Sequence, residues 1–351
     1  MNLADTPLGL TFDDVLLVPR RSDIRTRADV STATHLSRNI ELAVPIVAAN
    51  MDTVCEWEMA VALGRLGGIG IIHRFLTIEQ QAAQIAKVKG EGVQVGAAVG
   101  TDHDALHRAK AMIAEGVDAL VLDIAHGHSQ HAIDTLRMLK KQAPTTDVIA
   151  GNVATREGGE DLARAGADAV KVGVGPGGVC TTRIVAGVGV PQLTAIDSCA
   201  NLDVPVIGDG GIRTSGDIAK ALAAGAHSVM IGSMLAGTKE SPGEIEQSSH
   251  GLVKRVRGMA SFEALQHRAN RTGTEVDEEY FEQRSPEGVE GVVAYRGSVV
   301  PMVNKLLAGV RSAMSYCDAR TIAEFHANAQ FVRITNAGLT ESHPHATLRP
   351  L

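Results

Sequence analysis

Three observations predict an α/β fold, a (β/α)8 TIM barrel. Short β-branched runs recur eight times at a nearly constant interval, segments of helical spacing lie between most of them, and glycine-rich stretches follow the last three. An N-terminal arm up to about Leu42 precedes the repeat. The runs are Pro45 to Ala49, Gly68 to Ile72, Val93 to Val99, Ala119 to Asp123, Asp147 to Gly151, Ala169 to Gly173, Val204 to Gly208 and Ser228 to Gly232. Helices are expected over Thr77 to Val88, Asp104 to Glu115, Ser129 to Gln142, Glu157 to Ala165 and Ser215 to Ala224, each closing near a glycine or before a new strand. A long loop is expected between the sixth and seventh runs, and a flap or lid insertion after the eighth, from about Thr238 to Val299. The whole chain, 1–351, thus reads as one barrel domain with an arm over about 1–42 and a flap over about 238–299. A doubly wound sheet fits less well, because no G-x-G-x-x-G follows the first strand with an acid about 20 residues on.

Composition narrows the function. The chain is 44% hydrophobic and 21% charged, enough to build a sizeable core. A formal charge of −7 without a block of basic residues disfavours nucleic-acid binding. No apolar run reaches the roughly 18 residues a bilayer span needs, and the first residues lack a secretory pattern, so no membrane role and a soluble, cytoplasmic protein are expected. Cys55, Cys180, Cys199 and Cys317 are far apart, with neither disulfide nor zinc spacing, which leaves a single reactive thiol as the chemical option.

In a barrel the loops after the strands carry the site. After the sixth run the chain reads Val172-Gly173-Val174-Gly175-Pro176-Gly177-Gly178-Val179-Cys180-Thr181-Thr182-Arg183. Its glycines let backbone groups face inward, suited to an anion or a monovalent cation, and place Cys180 at the barrel mouth as a candidate nucleophile with a neighbouring Thr to shuttle a proton. A buried small hydrophobe is the plainer reading of a cysteine; the glycine setting argues against it. Gly208-Asp209-Gly210-Gly211 and Gly232-Ser233-Met234 follow the seventh and eighth runs, where barrels bind phosphate, so a phosphorylated small molecule is expected. Asp209 would face the pocket and accept from ribose hydroxyls. Arg284-Ser285-Pro286-Glu287-Gly288 in the insertion could place an acid or base on a lid, although a solvated Glu is the commoner case.

Together these residues resemble the IMP dehydrogenase/GMP reductase family over nearly the whole chain. The marks are Leu10-Thr11-Phe12-Asp13-Asp14-Val15-Leu16-Leu17-Val18-Pro19, Asn50-Met51-Asp52-Thr53-Val54, Gly151-Asn152-Val153, the Cys180 loop through Pro191-Gln192, and Asp209-Gly210-Gly211. The resemblance implies a (β/α)8 barrel, usually a homotetramer, whose cysteine attacks C2 of the purine of a nucleoside monophosphate, GMP or IMP. By the same resemblance Cys180 is the nucleophile, Thr182 its partner and Glu287 the lid Glu that activates that Thr. Asn50, Met51, Asp209, Gly211, Gly232, Ser233 and Arg284 fall at substrate positions, and Asp123, Asn152 and Thr101 at cofactor positions. Gly175, Gly177 and Cys180 match backbone carbonyls that hold potassium, and Glu341-Ser342-His343 matches a segment that a neighbouring subunit adds to that ion. Gly178 departs from the family's usual Ser, which removes one phosphate hydrogen bond or hands it to a main-chain N–H.

The resemblance also bears on which member this is. The Bateman module usual in dehydrogenases is absent, since Val88-Lys89-Gly90-Glu91-Gly92 leads directly onward. The Arg-Tyr pair with which dehydrogenases activate water has only partial matches, at Arg271 and at Glu279-Tyr280. His73-Arg74-Phe75, Gly100-Thr101 and Ser312-Ala313-Met314-Ser315-Tyr316 look reductase-like, whereas Ile184 through Pro191, Ala125-His126-Gly127-His128-Ser129 and the flap's length look dehydrogenase-like. The expectation is a GMP reductase using NADPH. An IMP dehydrogenase using NAD, and a nucleotide-binding regulator without catalysis, are the alternatives.

Overall fold

A computed structural model describes residues 5–249, 251–272 and 285–344. The arm contributes β1 (Val15–Leu17), β2 (Thr34–His35) and β3 (Glu41–Leu42). Eight parallel strands then close into a barrel: β4 (Ile46–Ala48), β5 (Ile69–Ile72), β6 (Val95–Val99), β7 (Ala119–Asp123), β8 (Asp147–Val153), β9 (Ala169–Val172), β10 (Val206–Asp209) and β11 (Ser228–Ile231), with β11 pairing β4 to complete the ring. These are the eight runs of the sequence. They read as mostly apolar because both faces are covered, by the interior on one side and by helices on the other.

The covering helices are α1 (Trp57–Arg65), α2 (Ile78–Gly90), α3 (Ala105–Ala114), α4 (Gln130–Gln142), α5 (Arg156–Arg164), α7 (Gln192–Cys199) and α8 (Ser215–Ala223), while the short α6 (Thr182–Val185), in the cysteine loop, buries none of its residues. Local chemistry starts and stops them. Thr77, Thr155 and Thr214 accept N-cap hydrogen bonds, while Gly67, Gly92, Gly116, Gly166 and Gly225 take positive φ just past α1, α2, α3, α5 and α8 to turn the chain back to the next strand. Three helices depart from the sequence expectation. The first strand is followed by α1, and the supposed long loop between the sixth and seventh strands holds α6 and α7.

Beyond β11 come α9 (Ser233–Ala236), β12 (Glu246–Ser248), β13 (Gly251–Arg257), α10 (Phe262–Thr272) and β14 (Glu290–Ala294), the three strands forming an antiparallel sheet. Lys254 anchors this sheet: its side chain is fully buried and its ammonium donates to the carbonyls of Thr238 and Ser241, at 3.1 and 2.5 Å. The chain finishes with α11 (Val299–Tyr316), which packs on α8, then α12 (Ile322–Asn328), β15 (Phe331–Arg333), paired with β1, and α13 (Asn336–Glu341). Among the described residues no helix is long and apolar enough to cross a membrane.

The β2–β3 hairpin caps the N-terminal mouth of the barrel. Ser37 Oγ and the Asn39 side-chain amide donate to buried Asp147 at the start of β8, at 2.6 and 2.7 Å, and Thr34 Oγ1 donates to the carbonyl of His227, just before β11, at 2.7 Å. His227 itself stands edge-on to His326, with centroids 5.3 Å apart, and its Nδ1 accepts from the Val206 amide at 3.2 Å. Burial, then the charges of His326 and His35, push its pKa down to about 4. The unfolded chain therefore binds this proton first, and stability falls as pH drops from about 6.5 to about 4, by up to roughly 3 kcal/mol. His227→Asn should keep an acceptor for Val206 and flatten the slope of unfolding free energy between pH 6.5 and 4.5 in urea titrations; an unchanged slope would show that the acid sensitivity lies elsewhere.

Candidate active site

The cysteine loop leaves β9 through Gly173, whose positive φ of 148° no other residue adopts easily and where a Cβ would stand 2.0 Å from the carbonyl oxygen of Asp209. Gln192 of α7 fastens this junction, donating to the carbonyls of Val172 and Asp209 at 2.9 and 3.0 Å. The loop then closes on itself, with the Cys180 amide donating to Gly177 at 3.1 Å.

The insertion is stitched to this loop by backbone. Thr181 N–H donates to Glu287 O and Val289 N–H to Val179 O, both at 3.0 Å, so that Cys180 and Gly288 form an antiparallel bridge. Gly258 of the flap permits the approach, since a Cβ there would meet the Val179 carbonyl at 2.8 Å. Three side chains are thereby aligned. Thr182 Oγ1 donates to Glu287 Oε2 at 2.7 Å and lies 3.2 Å from Cys180 Sγ. A hydroxyl has one hydrogen, and that of Thr182 is committed to the carboxylate, so it turns lone pairs toward sulfur. A proton can pass from the Cys180 thiol through Thr182 to Glu287 and back, which is the arrangement of a nucleophile with a relayed base.

Beneath the cysteine loop lies a polar floor built around Lys171, which the sequence reading passed over as part of a strand. Its ammonium meets Asp209 Oδ2 at 2.7 Å, Asp123 Oδ1 at 3.4 Å and Asn152 Oδ1. Asn152 in turn donates to Asp209 Oδ2 at 2.9 Å and to the Gly173 carbonyl at 2.7 Å. Burial pushes the Lys171 ammonium down, but Asp209 and Asp123 outweigh it and hold the pKa above the ordinary lysine value. Asp209 and Asp123 are therefore joined through one cation at the ends of β10 and β7. The only hint in the sequence was a lone charge inside an apolar strand, Ala169-Val170-Lys171-Val172.

Gly178, Gly232, Ser233 and Met51 gather on the other side of Cys180. A Cβ at Gly178 would lie 3.4 Å from Ser233 Oγ, and one at Gly232 would lie 3.0 Å from Met51 Sδ. Asn50 is buried beside Met51, and Gly211, at positive φ, packs against Pro176 of the cysteine loop. Thr101 is half-buried in the loop after β6, next to Asp102. Gly175 and Gly177 lie where the cysteine loop turns, and the Arg183 guanidinium donates to the Val190 carbonyl at 2.6 Å beside them. Arg284, Glu279 and Tyr280 lie outside the described residues. Within one chain, His343 lies near Asp13 and lowers its carboxyl pKa slightly, behind the larger effect of Arg213. Among the described residues no three His, Cys, Asp or Glu side chains could hold a metal ion.

Ion pairs dock the flap on the rim. Arg257 grips buried Asp52, with Nε at 2.9 Å, and Arg271 meets Glu56 at 3.3 Å. His73 Nδ1 accepts from the Phe75 amide, so its Nε2 carries the hydrogen directed at Glu56, 3.2 Å away. Burial raises Glu56, but His73, Gln84 and Arg271 outweigh it and bring its pKa down to about 2. A cavity of about 170 Å³ between rim and flap, lined by Asp52, Arg257 and His267, does not include Cys180.

The chain matches the family model described as the IMP dehydrogenase / GMP reductase domain over residues 9–345. It is 39% identical to the inosine-5′-monophosphate dehydrogenase of Nitrosopumilus maritimus, covering 97% of this chain and 98% of that protein. It is 37% identical to the GMP reductase of Leishmania donovani, covering 98% of each. Those alignments run over 469 and 483 positions against 351 residues here, so both relatives carry segments this chain lacks. Among solved structures, a cysteine-to-alanine variant of GMP reductase from Trypanosoma brucei, in complex with guanosine 5′-monophosphate, superposes with a TM-score of 0.93 at 36% identity, covering 98% of this chain and 99% of that one.

Removing the cation from the floor should be costly. Lys171→Met would leave Asp123 and Asp209 facing each other unpaired, and should destabilise the fold by roughly 3 to 5 kcal/mol at neutral pH. The loss should shrink as pH falls and the carboxylates protonate, whereas Lys171→Arg should recover most of it. Urea denaturation of the two variants at pH 7 and pH 5 checks this, and an equal loss for both at both pH values would contradict it.

Proposed function

Since the chain belongs to the IMP dehydrogenase / GMP reductase family, we propose that it is a GMP reductase, carrying out NADPH-dependent reductive deamination of GMP to IMP and ammonia. The observation that carries the reading is the hydrogen-bonded sequence Cys180, Thr182, Glu287. Cys180 Sγ adds to C2 of GMP while its proton moves through Thr182 to Glu287. The same proton returns to the 2-amino group, the C2–N bond breaks, and ammonia leaves a thioimidate on Cys180, so this half-reaction consumes no outside proton. When bound, the reduced nicotinamide supplies a hydride to C2. The C–S bond then breaks to give IMP, and the Cys180 thiolate takes up a proton from solvent.

The Asp123 carboxylate and Thr101 face the region assigned to the dinucleotide, together with Arg74, whose Nε has no hydrogen-bond partner; this donor set suits ribose hydroxyls and phosphates. Met51, Gly178, Gly232 and Ser233 are assigned to the nucleoside monophosphate and Asp209 to its ribose, with Arg284 from the flap. Against the dehydrogenase alternative, IMP to XMP with NAD and water, stands the pairing of Arg271 with Glu56. That contact, at 3.3 Å, engages a guanidinium N–H with the rim carboxylate instead of a water.

Potassium is assigned to the main-chain carbonyls of Gly175, Gly177 and Cys180, where Gly177 O keeps one lone pair after accepting from Cys180 N–H. A homotetramer is assigned on the exposed apolar side chains Ile184, Val185 and Val188, in and after α6, which a second copy would cover.

The test is absorbance at the nicotinamide band in two mixtures, GMP with NADPH and IMP with NAD plus potassium. NADPH consumption with release of ammonia and IMP is expected; NADH and XMP formed from IMP alone would replace the reductase by the dehydrogenase. Cys180→Ala should abolish turnover while GMP still binds. Thr182→Val should lower kcat by about 10²- to 10⁴-fold with little change in KM for GMP, and wild-type turnover in either variant would overturn its role.

A further inference from the structure

α6 carries the hydroxyl of Thr182, yet it is four residues long and buries none of its side chains. Packing does not hold it. Its ties are hydrogen bonds, and the flap supplies one set, from the Thr181 amide and the Thr182 hydroxyl to Glu287. Arg183 supplies the other. Its terminal nitrogen donates to the carbonyl of Val190 at 2.6 Å and reaches that of Val174 at 3.5 Å. Those two residues stand at opposite ends of the cysteine loop, so one guanidinium spans its neck. The neck is shaped around this side chain: Gly175 and Gly189 both take positive φ, 84° and 156°, and a Cβ on them would stand 2.6 and 2.8 Å from Arg183 Cγ. The Cβ at Gly189 would also lie 2.9 Å from the Val174 carbonyl oxygen, so the two arms of the loop meet where the arginine crosses them.

The far arm is anchored to the barrel. Gln192, just beyond Val190, donates to the Val172 and Asp209 carbonyls, while Thr194 accepts from the Leu10 amide through its hydroxyl at 2.7 Å and donates its own amide to the Leu10 carbonyl at 3.1 Å. Arg183 therefore ties Thr182, the residue before it, to a fixed point. A planar fork of donors suits two carbonyls approached from one side, which a single ammonium serves less well. We infer that Arg183 is a positioning residue that keeps the Cys180–Thr182 pair formed with the flap docked or displaced, so that only the carboxylate of the relay travels with the flap. The inference rests on the reading of Cys180 as the nucleophile.

Arg183→Met keeps a stem between the two glycines and removes the donors. Its kcat for GMP reduction should fall about 10- to 100-fold, the scale of a misplaced reacting group, with KM for GMP held within about twofold. Reverse hydride transfer from IMP to NADP⁺ should slow by the same factor, because sulfur must be placed in both half-reactions. Independently of turnover, hydrogen–deuterium exchange of the full chain should quicken over residues 174–190 and not in the barrel strands, and Arg183→Lys should recover part of both losses. Wild-type kcat in Arg183→Met would overturn the inference, as would slowed turnover with unchanged exchange over 174–190, or exchange quickened throughout the barrel, which would mark a support of the fold alone. Local quickening in a protein that turns over no GMP would uphold the clamp and sink the reductase reading. Equal turnover of GMP by the wild type and Arg183→Met would do the reverse.

Discussion

Two backbone hydrogen bonds, Thr181 N–H to Glu287 O and Val289 N–H to Val179 O, hold the flap insertion to the cysteine loop, and the candidate chemistry depends on them. Glu287 stands 105 residues from Thr182 in sequence, and only this pairing brings its carboxylate to 2.7 Å from the hydroxyl. The pairing in turn needs Gly258, because a Cβ there would stand 2.8 Å from the Val179 carbonyl, and Gly288 keeps the contact close, since a Cβ there would come to 3.1 Å from the Ser261 nitrogen. The relay therefore belongs to the docked state of the flap. Its docking is secured at a distance by Arg257 on Asp52, Arg268 on Asp102 and Arg271 on Glu56, flap cations on barrel carboxylates.

This arrangement separates two duties. The barrel supplies fixed position: Lys171 locks Asp209, Asn152 and Asp123 into one network, and the positive φ of Gly173 sets the direction in which the cysteine loop leaves β9. The insertion supplies the removable part, the acid–base group. A site so divided can admit nucleotide and dinucleotide while the flap is displaced and acquire its proton relay when the flap docks. Arg268 on Asp102 and Arg271 on Glu56 suit that role, since ion pairs at a partly exposed rim contribute modestly and can be exchanged, whereas Arg257 on buried Asp52 is the tighter anchor.

The barrel was legible because its eight strands are apolar on both faces and are spaced by helices that glycines terminate. α1 was missed because Met59, Ala60, Val61 and Leu63 are all buried, which blurs the helical period, and α7 because it is only eight residues long and follows directly on the glycine-rich loop that ends at Pro191. Cys180, Thr182 and Asp209 were visible as loop residues after strand ends. Glu287 was marked in its own stretch only as a possible lid acid or base, and its partnership with Thr182 came from the family resemblance. Lys171 and Arg74 were not assigned roles, because their partners come from other strands and a single charge beside a strand gives no direction. Gly178, a departure from the family, lies beside Ser233, where a Cβ would make an ordinary contact with the hydroxyl at 3.4 Å.

The central claim is that Glu287 serves the amine-transfer half-reaction through Thr182 and takes no part in hydride transfer. Rapid mixing of the Glu287→Gln variant with IMP and NADP⁺ isolates the hydride half-reaction in reverse. A burst of NADPH close to one per active site, at a rate near that of the unmodified protein and with no reaction when ammonia is added, is the predicted result. Loss of the burst, or ammonia turnover at the rate of the unmodified protein, would contradict the division of labour between the flap carboxylate and the barrel.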